Sequence, residues 1–93
     1  MIISTVEFLA RTQLDRGTLD VWIKEEWLIP SAVTPDYAFS EADLARAQLI
    51  RDLMDDLGVN AEGVGIILSL VDQVHGLRNV LADMVDAARK EQN

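Results

Sequence analysis

Cysteine is absent from this sequence, and no apolar run reaches the roughly 18 residues that a membrane-spanning helix requires. Without cysteine the chain has no disulfide, no thiolate nucleophile and no cysteine-ligated zinc, which fits a reducing compartment. The first residues also lack the basic segment and long apolar stretch of a signal peptide. The expected location is therefore the cytoplasm.

Basic residues are scarce, with 8 Lys and Arg against 16 Asp and Glu, for a formal net charge of −8. Nucleic acid is a poor general partner for such a chain, because phosphate contacts need cationic side chains to release counterions. A basic protein surface would instead be attracted. Of the 93 residues, 49% are hydrophobic, which is enough for a packed core, so we predict one domain over residues 1–93.

Groups that could support catalysis are also few. His75 is the only histidine; with Asp72 at i, i+3 it could offer two metal ligands, but two ligands do not make a site. Ser40 and Ser69 lack the base and orienting group of a nucleophile. No glycine-rich phosphate loop is present. We therefore predict no enzyme activity, no metal site and no cofactor.

Two short helices are indicated near the start of the chain. Ser4 and Glu7 have the spacing of a capping box before a helix over 5–12, and Asp15 can cap a second helix over 16–26. Their inward-facing side chains are predicted to be Phe8, Leu9, Leu19, Trp22 and Ile23. Two helices joined by a few residues form a helix-turn-helix candidate.

A loop or small two-stranded wing is predicted over 30–39, which contains both prolines. Ser40 then signals a third helix over 41–57, and Gly58 lies where a left-handed cap is required. The residues expected to face the core from this helix are Leu44, Ala47, Ile50, Leu53, Met54 and Leu57.

The last helical stretch is predicted to begin at Asn60 and to run to Arg89, within a C-terminal region over 59–91, and Gly76 could kink or break it. Its apolar residues alternate by three and four, which is the 3.5-residue repeat of a coiled coil. This stripe of apolar residues, called the seam below, could pack against the chain's own helices, but we favour a homodimer. The residues assigned to dimerisation are Leu70, Val74, Leu77, Leu81 and Met84.

The second helix and wing contain a family pattern. Thr18-Leu19, Glu25, Trp27-Leu28 and Pro30 resemble the pattern Thr-Leu-Arg-Tyr-Tyr, Glu-Gly-Leu-Ile and Pro of the MerR-like regulators. The resemblance implies an all-α, MerR-like winged helix-turn-helix with a long C-terminal dimerisation helix. Asp20 and Tyr37 occupy the positions where those regulators have DNA-contacting arginines.

A branch of that superfamily is a closer match. Tyr37-Ala38-Phe39, Asn60-Ala61-Glu62-Gly63, Leu68-Ser69-Leu70-Val71-Asp72 and Leu77 resemble the chaperone-modulator family of the CbpM type. The resemblance implies a cytoplasmic dimer that binds the J-domain of a DnaJ-like, CbpA-type co-chaperone. It further implies that binding blocks the J-domain's stimulation of its Hsp70 and restrains DNA binding by the co-chaperone. A MerR-type DNA-binding regulator and a dimerisation module with another protein partner are the alternatives.

Acidic side chains are the first candidates for contact with a partner. Asp52, Asp55 and Asp56 share one face near the end of the third helix, where the helix dipole disfavours carboxylates and a basic partner would compensate. The same face could instead serve only solubility. The second-choice acids are Glu25 and Glu26. Asp72 is assigned to an interface. Trp27, which is expected to be more exposed than Trp22, is assigned to the partner contact as an aromatic side chain.

Overall fold

A computed structural model describes residues 2–92, with only the backbone of Gln92. Most of these residues are helical. The chain forms β1 (Ile3–Ser4), α1 (Thr5–Thr12), α2 (Arg16–Lys24), β2 (Ala38–Phe39), α3 (Glu41–Arg51), a π-helical turn (Asp52–Asp56) and α4 (Ala61–Gln92). This confirms the predicted class of a winged helix-turn-helix with a long C-terminal helix. One compact unit ends at Ala61 and a second begins at Glu62.

The three predicted N-terminal caps set the starts of the first three helices. The Ser4 hydroxyl accepts the Glu7 amide, and the Asp15 carboxylate accepts the Thr18 amide at 2.7 Å. Ser40 and Asp43 form a complete, reciprocal capping box. Each cap satisfies backbone donors that the first helical turn leaves without partners, so these helices begin where the sequence indicated.

A small sheet includes a strand that the sequence did not reveal. β1 pairs antiparallel with β2, so that Ile3 lies opposite Phe39. An isolated bridge between Ala32 and Ala38 closes the wing on the other side of β2. The pairing partner of β1 lies more than thirty residues away, and a two-residue strand has no alternating pattern that would show it.

The core of the first unit is built from all of its elements. Phe8 of α1 stacks on Phe39 of β2 with ring centroids 4.0 Å apart. Nε of Arg46 donates to the Trp27 carbonyl, and Nη1 of Arg51 donates to the Thr12 carbonyl. The buried apolar side chains of this unit are Ile3, Phe8, Leu19, Trp22, Trp27, Leu28, Phe39, Ala47, Ile50 and Leu53.

The end of α2 corrects two predictions. The helix ends at Lys24 and not at residue 26, because Glu26 adopts a left-handed conformation with φ 62°. The Trp27 amide then donates to the Trp22 carbonyl, and the Glu26 amide donates to that of Ile23, which is a Schellman motif. This closure draws Trp27 inward to 8% exposure, close to the 5% of Trp22, so Trp27 is buried and does not offer the exposed partner contact that was predicted for it.

The end of the third helix corrects a second group of predictions. α3 ends at Arg51, and the wider turn that follows is closed by the Leu57 amide donating to the Asp52 carbonyl. The wider turn shifts the helical register, so that Met54 and Leu57, which were expected in the core, are exposed. Leu9, Ile23 and Leu44, which were also expected to face inward, are only half-buried.

α4 starts at Ala61, one residue after its predicted start at Asn60, and continues to Gln92, three residues beyond its predicted end at Arg89. From Glu62 onward it makes up the second unit. The helix is not broken at Gly76. Gly58, just before it in the chain, has φ 67°, as its predicted role as a left-handed cap requires. No helix within the part of the chain that the structure describes is long and apolar enough to cross a membrane.

Candidate protein-interaction site

The exposed side of α2 is tied to the wing by a network of charged and aromatic groups. The Arg16 guanidinium lies 3.3 Å from carboxylate oxygens of both Asp20 and Asp36. Its carbon Cζ is 5.1 Å from the centroid of the Tyr37 ring, and the Tyr37 hydroxyl donates to Asp20 at 3.4 Å. The only cation in this group therefore already has two anionic partners and an aromatic face.

Local hydrogen bonds favour the charged form of two carboxylates in this region, Asp36 and Asp15. The backbone amide of Tyr37 lowers the pKa of Asp36, and the nearby Arg16 guanidinium lowers it further. The backbone amide of Thr18 likewise lowers the pKa of Asp15 at the start of α2. These two carboxylates therefore stay charged to a lower pH than ordinary aspartates do.

The predicted acidic cluster lies on the π-helical turn and not on a regular α-helix. Asp52, Asp55 and Asp56 are all exposed. The Asp52 carboxylate accepts a hydrogen bond from the side-chain amide of Gln48 at 2.8 Å. The Asp55 carboxylate lies 3.7 Å from the Arg51 guanidinium. The Asp56 carboxylate makes no hydrogen bond or ion pair within residues 2–92. The cluster is therefore accessible, although one of its charges is partly compensated.

The remaining predicted contact residues have different surroundings. Glu25 and Glu26 are exposed just beyond α2, and Asp72 is exposed on α4. Trp27 is not part of an accessible surface, because it is buried with its ring 6.2 Å from that of Trp22. It contributes to the closure of α2 instead.

The apolar seam of α4 is accessible along its length. The five side chains assigned to dimerisation are between 47% and 70% exposed: Leu70, Val74, Leu77, Leu81 and Met84. His75 lies beside this seam in a shallow apolar groove with Val71 and Arg78. Within the described residues, no three His, Asp or Glu side chains are arranged to hold a metal ion.

The order of helices and wing identifies the class of protein to which the chain belongs. Two short helices joined by a tight turn, a wing and a third helix make a winged helix-turn-helix protein. The model of the MerR helix-turn-helix family of regulatory proteins matches residues 3–85, and the chain belongs to that family. Comparison with curated proteins found no significant match.

Asp20 and Tyr37 stand out in the sequence, but the contacts that join them do not. The i, i+4 spacing of Arg16 and Asp20 on α2 was a readable signal for one ion pair. Asp36 carried no such signal, because its contact with Arg16 spans 20 positions and depends on the folded wing. The network as a whole is a product of the tertiary structure.

Proposed function

We propose that the chain is a chaperone modulator, which binds the J-domain of a DnaJ-like, CbpA-type co-chaperone. The observation that carries the proposal is the network of Arg16, Asp20, Asp36 and Tyr37. A helix-turn-helix regulator needs free cations on its second helix and wing to contact phosphates and guanine edges. Here the one arginine of the network is held by two carboxylates, which favours a polypeptide partner over duplex DNA.

The sign of the protein's charge supports the same class of partner. A net charge of −8 repels nucleic acid and attracts a basic protein surface over long range. The resemblance to the CbpM type implies that J-domains of this class carry a basic helix and a His-Pro-Asp loop through which they engage Hsp70. An acidic protein that covers this surface would compete with Hsp70 for it.

The proposed functional unit is a homodimer formed through α4. Five seam residues repeat at coiled-coil spacing and are exposed in the single chain, so a second copy would remove apolar surface from water. The function requires no covalent chemistry and no cofactor. Occupation of the J-domain would reduce both Hsp70 stimulation and DNA binding by the co-chaperone.

The direct test is titration of a purified CbpA-type J-domain into the protein by calorimetry at about 50 mM and about 500 mM salt, where charge screening differs strongly. We expect binding that weakens as salt rises, and inhibition of J-domain-stimulated Hsp70 ATPase activity by the same preparation. Absence of binding at low salt would refute the proposal. Tight, sequence-specific capture of DNA at physiological salt would favour a DNA-binding regulator instead.

A further inference from the structure

A groove in the first unit combines a small apolar patch with a larger polar lining that includes two carboxylates. Leu14, Trp22 and Met54, which come from three different segments, line it together with Asp15, Asp55 and Arg51. Met54 is the most accessible of the apolar residues that line it, at 36% exposure. The groove thus offers apolar surface and negative charge in one place.

The accessibility of Met54 is a consequence of the π-helical turn. A regular continuation of α3 would keep Met54 on the same face as the buried Ile50, four positions earlier. The wider turn shifts that register, so that Met54 is partly exposed beside the turn between α1 and α2. π-helical turns of this kind occur often at functional sites, because they alter which side chains are presented.

A second depression adjoins the groove and contains more carboxylates. It shares Arg51 and Asp55 with the first and adds Asp52 and Asp56. Four carboxylates, including Asp15, lie along the two depressions against the single Arg51 guanidinium, which leaves three negative charges. The C-terminal end of α1 and the N-terminal end of α2 both border the groove, and their partial charges are of opposite sign, so the side-chain carboxylates determine its negative charge.

We propose that this groove is the docking site for a cationic amphipathic helix of the protein partner. The aliphatic stems of lysine or arginine side chains would lie on Met54, and their charged ends would meet Asp52, Asp55 and Asp56. An apolar side chain of the same helix would complete the contact near Leu14. The inference rests on the proposed function for its choice of a basic protein partner.

Met54 and Met84, two of the three methionines of the chain, allow this site to be observed directly. In protein labelled with ¹³C at the methionine methyl groups, the J-domain should shift the resonance of Met54 and leave that of Met84, on α4, unchanged. A synthetic amphipathic helix of leucine and lysine is the second probe, because it has the required chemistry without being a J-domain. It should give the same selective shift.

Matched charge variants test the rim. Asp52→Asn with Asp56→Asn removes two negative charges beside the groove, and Asp83→Asn with Asp86→Asn removes two from exposed positions on α4. We expect the first pair to weaken J-domain binding about tenfold and the second pair about twofold or less, since the second changes only long-range attraction. Circular dichroism would verify that both pairs keep the fold.

The outcomes separate the groove from the proposed function. If the J-domain bound without shifting the Met54 resonance, and bound both pairs of variants equally well, the groove would not be the docking site. The proposed function would still stand. A J-domain that does not bind, together with a cationic helix that shifts Met54 selectively, would refute the proposed function and support the groove. Equal shifts of the Met54 and Met84 resonances with the cationic helix would indicate unspecific attraction. The groove would then not be a docking site.

Discussion

The Tyr37 hydroxyl donates a hydrogen bond to Oδ1 of Asp20 at 3.4 Å, across 17 positions of the sequence. The bond joins the wing to α2 at the two positions where the resemblance to DNA-binding regulators implies arginines. Arg16 lies against both residues, through an ion pair with Asp20 and over the ring of Tyr37. The positions that would contact DNA therefore contact one another.

Replacing both Asp20 and Tyr37 by arginine tests whether the absence of arginines at these two positions excludes DNA. The double variant Asp20→Arg with Tyr37→Arg should bind duplex DNA at least about tenfold more tightly at low salt than the unmodified protein. Two additional phosphate contacts should also steepen the salt dependence of the binding constant by about 2 in the log–log slope. Fluorescence anisotropy with a labelled duplex would measure both quantities.

The control variant places the same charges elsewhere. Asp83→Arg with Asn79→Arg changes the net charge by the same three units on the exposed surface of α4. If this variant gained as much affinity for DNA as the first, net charge alone would explain the effect. The residues of α2 and the wing would then not be what excludes DNA.

Glu26 is strained in a way that a single substitution should relieve. Its φ of 62° is a conformation that costs side-chain-bearing residues about 1 kcal/mol and costs glycine almost nothing. Glu26→Gly should therefore raise the free energy of unfolding by about 1 kcal/mol in urea denaturation. Glu26→Ala is the control, because alanine keeps the Cβ atom and should give no comparable gain.

The boundaries that could be predicted from the sequence are those set by local chemistry. Ser4, Asp15 and Ser40 accept hydrogen bonds from residues three positions later, so a short window of sequence contains the whole interaction. The helical periodicity after Asn60 is equally local and predicted α4 to within a few residues. These elements needed no knowledge of the rest of the fold.

The features that the sequence did not predict depend on distant contacts or on conformations that residue type disfavours. The left-handed Glu26 is one, because glycine is the usual residue there, and it determines the burial of Trp27. The π-helical turn is another, and it changes which residues surround the acidic cluster. The members of the cluster could be named in advance, but the groove beside them could not.

Two glycines should respond in opposite directions to the same substitution. A Cβ atom at either Gly58 or Gly76 would meet no atom within 4 Å, so steric conflict does not distinguish them. Gly58 has φ 67°, and Gly58→Ala should lower stability by about 1 kcal/mol. Gly76 lies inside α4, where Gly76→Ala should strengthen the helix by about 0.5–1 kcal/mol. Denaturation of both variants followed at 222 nm would reveal equal signs if this account were wrong.

Asp15 should make the stability of the protein depend on acidic pH. The Thr18 amide lowers the pKa of Asp15 in the folded state below its ordinary value of 3.8. The stability that its charge contributes is therefore complete above that value and is lost as the pH falls through the lowered pKa. Asp15→Asn keeps a capping oxygen that does not titrate. The difference in Tm between the protein and this variant should shrink from about pH 5 to about pH 2, and a constant difference would contradict the assignment.

The proposed dimer depends on the centre of the α4 seam, and Leu77 is the residue to change. Its side chain is 70% exposed in the single chain, so Leu77→Asp should not disturb the fold of a monomer. In a coiled-coil interface the same change would bury two carboxylates without partners, which costs several kcal/mol. Sedimentation equilibrium should therefore report twice 10.3 kDa for the protein and 10.3 kDa for the variant.

Asn79→Asp is the matched control, because it adds the same charge two positions further along α4 but outside the heptad seam. It should sediment as the unmodified protein does. If both variants remained dimeric, the contact between copies would lie elsewhere, and if the unmodified protein were a monomer at micromolar concentration, the proposed dimer would be wrong. A monomeric Leu77→Asp variant that still binds the J-domain would further show that each copy has a complete docking groove, because every residue of the groove precedes α4 in the sequence.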